Sequence, residues 1–256
     1  METRTIIIGD VHGMDAELLR LLVELSPRKG DEIVFVGDLV DKGPASAGVV
    51  KIVRTLASKN KVVLVEGNHE DKHRRFRKHL ANGSDTAHKM KDAEELAEIT
   101  EGLSVEDIAF LDSAVPFHRV PEHNILVVHA GIPADMTEFP ETVEEAQALG
   151  GKRKKKFQLV MRTRFVSGET GKMLQLGAET ENDPFWADVF DGRFGHVVFG
   201  HQPFMDGVRE FPHATGIDTG AVFGGGLTAM VIKGTERSFV TVPSRKFATP
   251  MGGDSV

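Results

Sequence analysis

The chain has 256 residues, 40% of them hydrophobic and 27% charged, which supports one large domain with a substantial core and excludes a disordered or fibrous chain. A formal net charge of -7 argues against wholesale nucleic-acid binding, which needs a basic face. The chain contains no cysteine, so disulfides, thiolate metal sites and a cysteine nucleophile are excluded, and a reducing compartment is the expected setting.

The N-terminal stretch METRTIIIGD holds an apolar run too short for a signal peptide or a membrane span, and the expected location is the cytoplasm. RTIIIG (4 to 9), EIVFVG (32 to 37), KVVLVEG (61 to 67), NILVVHA (124 to 130) and HVVFGH (196 to 201) are continuous, β-branched apolar runs. Such runs predict strands covered on both faces. Between the first of them, MDAELLRLLVELS places Leu18, Leu21, Leu22 and Leu25 at helical spacing, ended by Pro27 and Gly30. Asp10 and Asp38 are 28 positions apart, and Asp38 and Asn68 are 30 apart, close to the length of one βαβ crossover. Polar strand ends that recur once per unit should converge on one rim, because ligands bind beyond the carboxyl ends of parallel strands.

Residues 71 to 118 read as a peripheral helical cap, with Ser104 and Asp107 forming a capping box ahead of VEDIAFLDSA. Residues 133 to 195 are less regular and include GKRKKK (151 to 156), read as a mobile loop. After His201, GIDTG, LTAMVIK and RSFVTV predict β-hairpins, and 244 to 256 a loosely held tail. No linker divides the chain, so 1 to 256 is read as a single domain.

Five glycine-bearing polar clusters follow the apolar runs: GDVHG (9 to 13), GDLVDKGP (37 to 44), GNHE (67 to 70), HAG (129 to 131) and GH (200 to 201). A lone Asp after a strand is usually a helix cap and a lone His a satisfied polar residue. Together, however, Asp10, His12, Asp38, Asn68, His129 and His201 offer six oxygen and imidazole donors, a set suited to two divalent cations of the manganese, iron or zinc kind. Asp10 and His12, two apart, would point the same way in extended chain and grip one ion. Asp38 is the candidate for a shared carboxylate, and a pair of ions so held suits phosphoryl chemistry.

With these five motifs in order, the chain resembles the calcineurin-like binuclear metallophosphoesterases, in the branch shared by serine/threonine protein phosphatases and ApaH-like diadenosine tetraphosphatases. The resemblance runs from Thr5 to about Lys233. It implies a four-layer α/β/β/α sandwich with two mixed β-sheets and two divalent ions, manganese first, with iron or zinc as alternatives. It implies that Asp10, His12 and Asp38 hold one ion, and Asp38, Asn68, His129 and His201 the other. His69 would protonate the leaving oxygen, oriented by Asp41, after in-line attack by a hydroxide bridging the ions. Lys42 stands where the family usually has Arg, a point charge in place of a fork; with Arg162 and Arg164 of MRTRF it would grip phosphate. The implied activity is hydrolysis of phosphomonoesters or phosphoanhydrides, on a phosphorylated protein or on a dinucleoside polyphosphate by symmetrical cleavage. No membrane partner and no stable nucleic-acid complex are expected.

A catalytically silent binding protein on the same fold is the alternative, disfavoured because every ligand and the acid are present. KHRRFRKH (72 to 79) reads as a solvated helix, with a polyphosphate channel as the other reading, and Trp186 as a packing residue. Glu70 and Asp71 find no role beyond helix-start or supporting carboxylates.

Overall fold

The computed structural model describes residues 3–249. In chain order the elements are β1 (Arg4–Ile8), α1 (Asp15–Leu25), β2 (Glu32–Phe35), α2 (Ser46–Ala57), β3 (Lys61–Leu64), α3 (Asn68–Ala81), α4 (Ala93–Gly102) and α5 (Val105–Asp112). There follow β4 (His118–Val120), β5 (Ile125–Val127), α6 (Val143–Ala148), α7 (Gly151–Phe157), α8 (Trp186–Val189) and β6 (His196–Phe199). The chain then closes with β7 (Arg209–Phe211), β8 (Ala214–Gly216), β9 (Gly226–Lys233) and β10 (Glu236–Pro243).

These strands form two five-stranded sheets, ordered β10-β9-β1-β2-β3 and β4-β5-β6-β8-β7. Both are mixed. In the first, β1, β2 and β3 run parallel while β9 is antiparallel to β1; in the second, β5, β6 and β8 run parallel while β4 and β7 are antiparallel.

Strand alternation sorts the apolar residues into layers. Ile6 and Ile8 face α1 and α2, where they join Leu18, Leu21, Val49 and Val53 in one buried cluster. Ile7, between them, faces the other sheet and packs with Val34, Val36, Ile125, Val127 and Val198. Behind the second sheet, Phe199, Val197 and Leu126 pack on Trp186, Phe157 and Phe185. The result is helix, sheet, sheet, helix: the α/β/β/α sandwich. Continuous apolar runs need cover on both faces, and such a stack supplies it.

Local signals set the element ends. Leu18, Leu21 and Leu25 bury one face of α1, and Ser26, in left-handed conformation, returns its N–H to the Leu22 carbonyl at 3.0 Å. The Ser104 hydroxyl accepts from the Asp107 N–H at 3.1 Å, and the Asp107 carboxylate accepts from the Ser104 N–H at 3.0 Å, closing the capping box of α5.

Two expectations change. GKRKKK is not a loop but most of α7, whose Phe157 is buried in the outer core. Lys156 Nζ donates to the Asp135 carbonyl at 2.7 Å; one apolar anchor and one tether order a run that composition alone makes look mobile. The start of the expected loose tail is also fixed, because the N–H groups of Phe247 and Ala248 both donate to the Val222 carbonyl, at 2.9 and 3.0 Å. The remainder of that tail, 250 to 256, lies outside the described residues. Among the described residues no helix is long and apolar enough to cross a membrane.

Candidate metal centre and active site

Where the two sheets meet at the carboxyl ends of their parallel strands, β1, β2 and β3 deliver Asp10, His12, Asp38 and Asn68, and β5 and β6 deliver His129 and His201. Asp38 is central and almost fully buried. Its Oδ2 lies 3.5 Å from His12 Nε2, 3.3 Å from His129 Nε2 and 3.9 Å from His69 Nε2. Asp10 Oδ2 lies 3.9 Å from His12 Nε2 and accepts the His201 N–H at 3.0 Å. His129 Nε2 is 3.0 Å from Asn68 Oδ1. Two groups, His12–Asp38–His69 and Asp38–His129–His201, each bring their candidate ligand atoms within 4.8 Å of one another, and Asp38 belongs to both.

The backbone is bent to reach this arrangement. His12, Asp38, Asp41, Lys42 and His201 all have positive φ, between 45° and 69°. Non-glycine residues rarely adopt such angles, and their concentration at one place marks a site whose geometry the fold enforces. Asp10 and His12 therefore converge through a tight turn and not through extended chain. Glycine is required at Gly200, where a Cβ would overlap Asp10 Oδ1, and at Gly67, where it would overlap Asp38 Oδ1.

Hydrogen bonds fix the imidazoles. His12 Nδ1 donates to the Val40 carbonyl at 3.0 Å and His129 Nδ1 to the Val36 carbonyl at 2.9 Å, which turns both Nε2 atoms into the site. Burial, reinforced by Lys42, holds the His12 imidazole neutral well below its ordinary range. Burial and Arg164 do the same for His201. Burial also favours neutral His129, but Asp38 outweighs it and raises this imidazole to about 9. Asp10 is pushed up by burial and by the neighbouring Asp218 and Asp38. Asp218, itself buried, rises to about 6 for the same reason of burial.

A buried crowd of carboxylates beside the neutral imidazoles of His12 and His201 suits cations of mixed oxygen and nitrogen preference. Asp10 Oδ1 and His201 Nε2 are buried without a hydrogen-bond partner, as expected of atoms that face an ion. The residues fit two divalent ions.

Beside the donors stands an imidazole–carboxylate pair. His69 Nδ1 meets Asp41 Oδ2 at 2.5 Å, and the same carboxylate meets His73 Nε2 at 2.5 Å through Oδ1. Burial would raise Asp41, but its bonds to His69 and His73 prevail and hold it ionised. Sequence reasoning missed His73. The available signal was its spacing, one helical turn beyond His69.

Glu70 and Asp71 also gain roles. The buried Glu70 carboxylate accepts the N–H groups of Asp38 and Leu39 at 2.8 Å and of Gly67 at 3.0 Å, tying the loop after β2 to the start of α3. Asp71 accepts from Arg162 at 2.8 Å and from Arg75 at 3.0 Å, joining α3 to the MRTRF segment.

Lys42, Arg162 and Arg164 line a cavity of about 530 Å³ that opens over Asp38, Asn68, His69 and His201. Lys42 Nζ sits 3.1 Å from His12 Nε2, and Arg164 donates to the His201 carbonyl at 3.0 Å. Arg162 follows a short 3-10 turn, Gln158–Met161, and both arginines reach the one cavity. Trp186 is 1% exposed and packs behind the second sheet.

A two-sheet sandwich with a shared carboxylate, imidazoles from both sheets and an imidazole–carboxylate pair beside them defines a metal-dependent phosphoesterase. The profile of the calcineurin-like phosphoesterases matches residues 3–207, and the chain belongs to that family. It is therefore a hydrolase of phosphoesters, in the ApaH-like branch, and the family implies divalent metal ions. Two relatives are named bis(5'-nucleosyl)-tetraphosphatase PrpE, asymmetrical. The one from Halalkalibacterium halodurans is 32% identical over 94% of each chain, and that from Bacillus anthracis 33% identical over 93% of each. A crystal structure assigned provisionally as a diadenosine tetraphosphatase superposes with a TM-score of 0.69 at 29% identity, covering 94% of each chain. A protein serine/threonine phosphatase of Saccharomyces cerevisiae shares the fold, with a TM-score of 0.61 at 16% identity over 97% of this chain and 82% of its own. The relatives' names specify asymmetrical cleavage where the sequence led us to expect symmetrical.

Proposed function

We propose that this chain hydrolyses dinucleoside tetraphosphates asymmetrically, to a nucleoside triphosphate and a nucleoside monophosphate. The observation that carries this reading is the cavity over the donor cluster. Its wall holds six cationic side chains, Lys42, Lys72, Arg75, Lys91, Arg162 and Arg164, more positive charge than one phosphate monoester needs. The helical segment 71 to 118 contributes Lys72, Arg75 and Lys91 to that wall and serves as a cap on one side. The names of the relatives support the same substrate class.

In this reading Asp10, His12 and Asp38 hold one divalent ion, and Asp38, Asn68, His129 and His201 the other, with manganese the first to test. When bound, the ions activate water and stabilise charge on the phosphoryl oxygens. Asp38 joins the two sites because its neighbours come from both sheets. Lys42, Arg162 and Arg164 orient the phosphoryl group and neutralise its charge. His69 protonates the departing oxygen. Asp41 accepts the Nδ1–H of His69 and orients the ring, so that Nε2 is the nitrogen turned towards the departing oxygen.

The test is a manganese-supplemented assay on diadenosine tetraphosphate, p-nitrophenyl phosphate and a phosphoserine peptide. The expected order of kcat/KM puts the tetraphosphate first. A phosphopeptide preferred by tenfold or more overturns the substrate reading.

A further inference from the structure

On α3, Asn68, Lys72 and Arg75 stand at i, i+4 and i+7, one face of a helix, and all three line the cavity. The stripe starts beside His69 and runs away from Asp38 for seven residues, roughly 10 Å at the helical rise of 1.5 Å per residue. Lys91 lies on the same wall.

The two cations on the stripe are placed, not loose. Arg75 bonds Asp71 through Nε, the nitrogen nearest its stem, which leaves the fork of the guanidinium as the part suited to phosphate. Lys72 pairs at 2.7 Å with Asp92, a carboxylate 40% exposed. A bridge of that kind contributes little and yields readily to a multiply charged anion. Lys72 is half-buried and Arg75 exposed, and both line the cavity, within reach of an anion bound there.

His69 fixes the direction. The oxygen it protonates belongs to the leaving group, and the stripe of cations begins next to His69. Resting on the proposed tetraphosphate activity, we infer that Lys72, Arg75 and Lys91 form a subsite for the leaving triphosphate, so that the phosphorus attacked is the one bonded to a nucleoside. The water oxygen bonds to that phosphorus and the anhydride P–O bond breaks. The bond's electron pair stays on the triphosphate oxygen, which takes the proton from His69; the proton lost by water passes to solvent, which also recharges His69. The monophosphate leaves from the Arg162 and Arg164 side and the triphosphate from α3.

Hydrolysis of diadenosine tetraphosphate in water enriched in oxygen-18 tests the assignment. The label is expected in adenosine monophosphate; label in adenosine triphosphate, or a product of two diphosphates, overturns it while leaving a tetraphosphatase. A second arm measures binding of inorganic tripolyphosphate by calorimetry. The Lys72→Gln/Arg75→Gln protein is expected to bind it at least tenfold more weakly than the unaltered chain, with inorganic phosphate affinity changed less than twofold. Equal losses for both anions, or none, overturn the subsite. If the unaltered protein cleaves p-nitrophenyl phosphate but not the tetraphosphate, the substrate reading falls and this inference with it.

Discussion

In the proposed reaction His69 is the residue on which the chemistry turns. It sits one position from Asn68, yet its Nδ1 is committed to Asp41, and only Nε2 faces the cavity. His69→Asn is expected to lower kcat on a phosphoserine peptide, whose alkoxide leaving oxygen needs the proton most, by roughly 10²- to 10⁴-fold, the range for a lost general acid. The loss should be much smaller on p-nitrophenyl phosphate, whose leaving oxygen needs no proton; steady-state kinetics on the two substrates check it. Equal losses would assign His69 to the donor set. The identities of these residues could be read from the sequence because each belongs to a short motif whose spacing survives folding. His73 could not be, since an isolated histidine gains meaning only when a helix turns it onto Asp41. Asp71 was equally silent: its partner Arg162 is 91 positions away in the chain, and no local pattern encodes that meeting.

At the scale of the element, the strand runs were legible because continuous apolar sequence permits few alternatives, and α7 was not, because one buried phenylalanine in a basic run is a weak periodic signal. The junction of β3 and α3 is held by Glu70. Replacing it with alanine leaves the buried N–H groups of Asp38, Leu39 and Gly67 unmet, at about 1–3 kcal/mol for a buried group so orphaned. Thermal unfolding of Glu70→Ala should therefore begin several degrees lower, whether or not metal is present. The β2–β3 pair carries a second test. Glu32 is opposite Lys61 in the parallel register and lies 3.1 Å from His118 and 2.6 Å from Lys61. His118 first and Lys61 second outweigh the effect of burial and hold it near 2, from an ordinary 4.5. A depressed carboxylate stabilises the fold in full above the unfolded value and loses that contribution as pH falls through the folded one. The stability gap between the unaltered chain and Glu32→Gln should thus be full near pH 5 and shrink as pH falls from 4.5 towards 2; solvent exposure limits it to about 1 kcal/mol. Chemical denaturation across that range measures the gap.

For the whole molecule, the donor cluster lies at the seam between two sheets, so an ion that binds there ties them together. Ligands that bind only the folded state stabilise it by mass action, about 2.7 kcal/mol at a concentration one hundred times Kd. Manganese should raise Tm by roughly 5–10 °C in a chain of this size, and Asp38→Asn should abolish most of that rise. A Tm unmoved by manganese, cobalt and zinc would contradict the donor assignment. Net charge and an α/β alternation could be read at this scale from composition and pattern, and the two-sheet stack only through the family resemblance. The cation-lined cavity could not, because an overall charge of -7 hides a local reversal that only folding assembles.

The seam has a further consequence for how the protein comes into being. Trp186, the single tryptophan, is packed wholly behind the second sheet, so its emission reports the maturation of one half. In the proposed mechanism activity needs Asp10, Asp38 and Asn68 from one half and His129 and His201 from the other. During refolding the fluorescence signal should recover no later than turnover, and any species in which the halves are formed but not yet joined will look native to the tryptophan and be inert to substrate. On the proposed donor assignment, the joining of the two sheets is the step that completes the site.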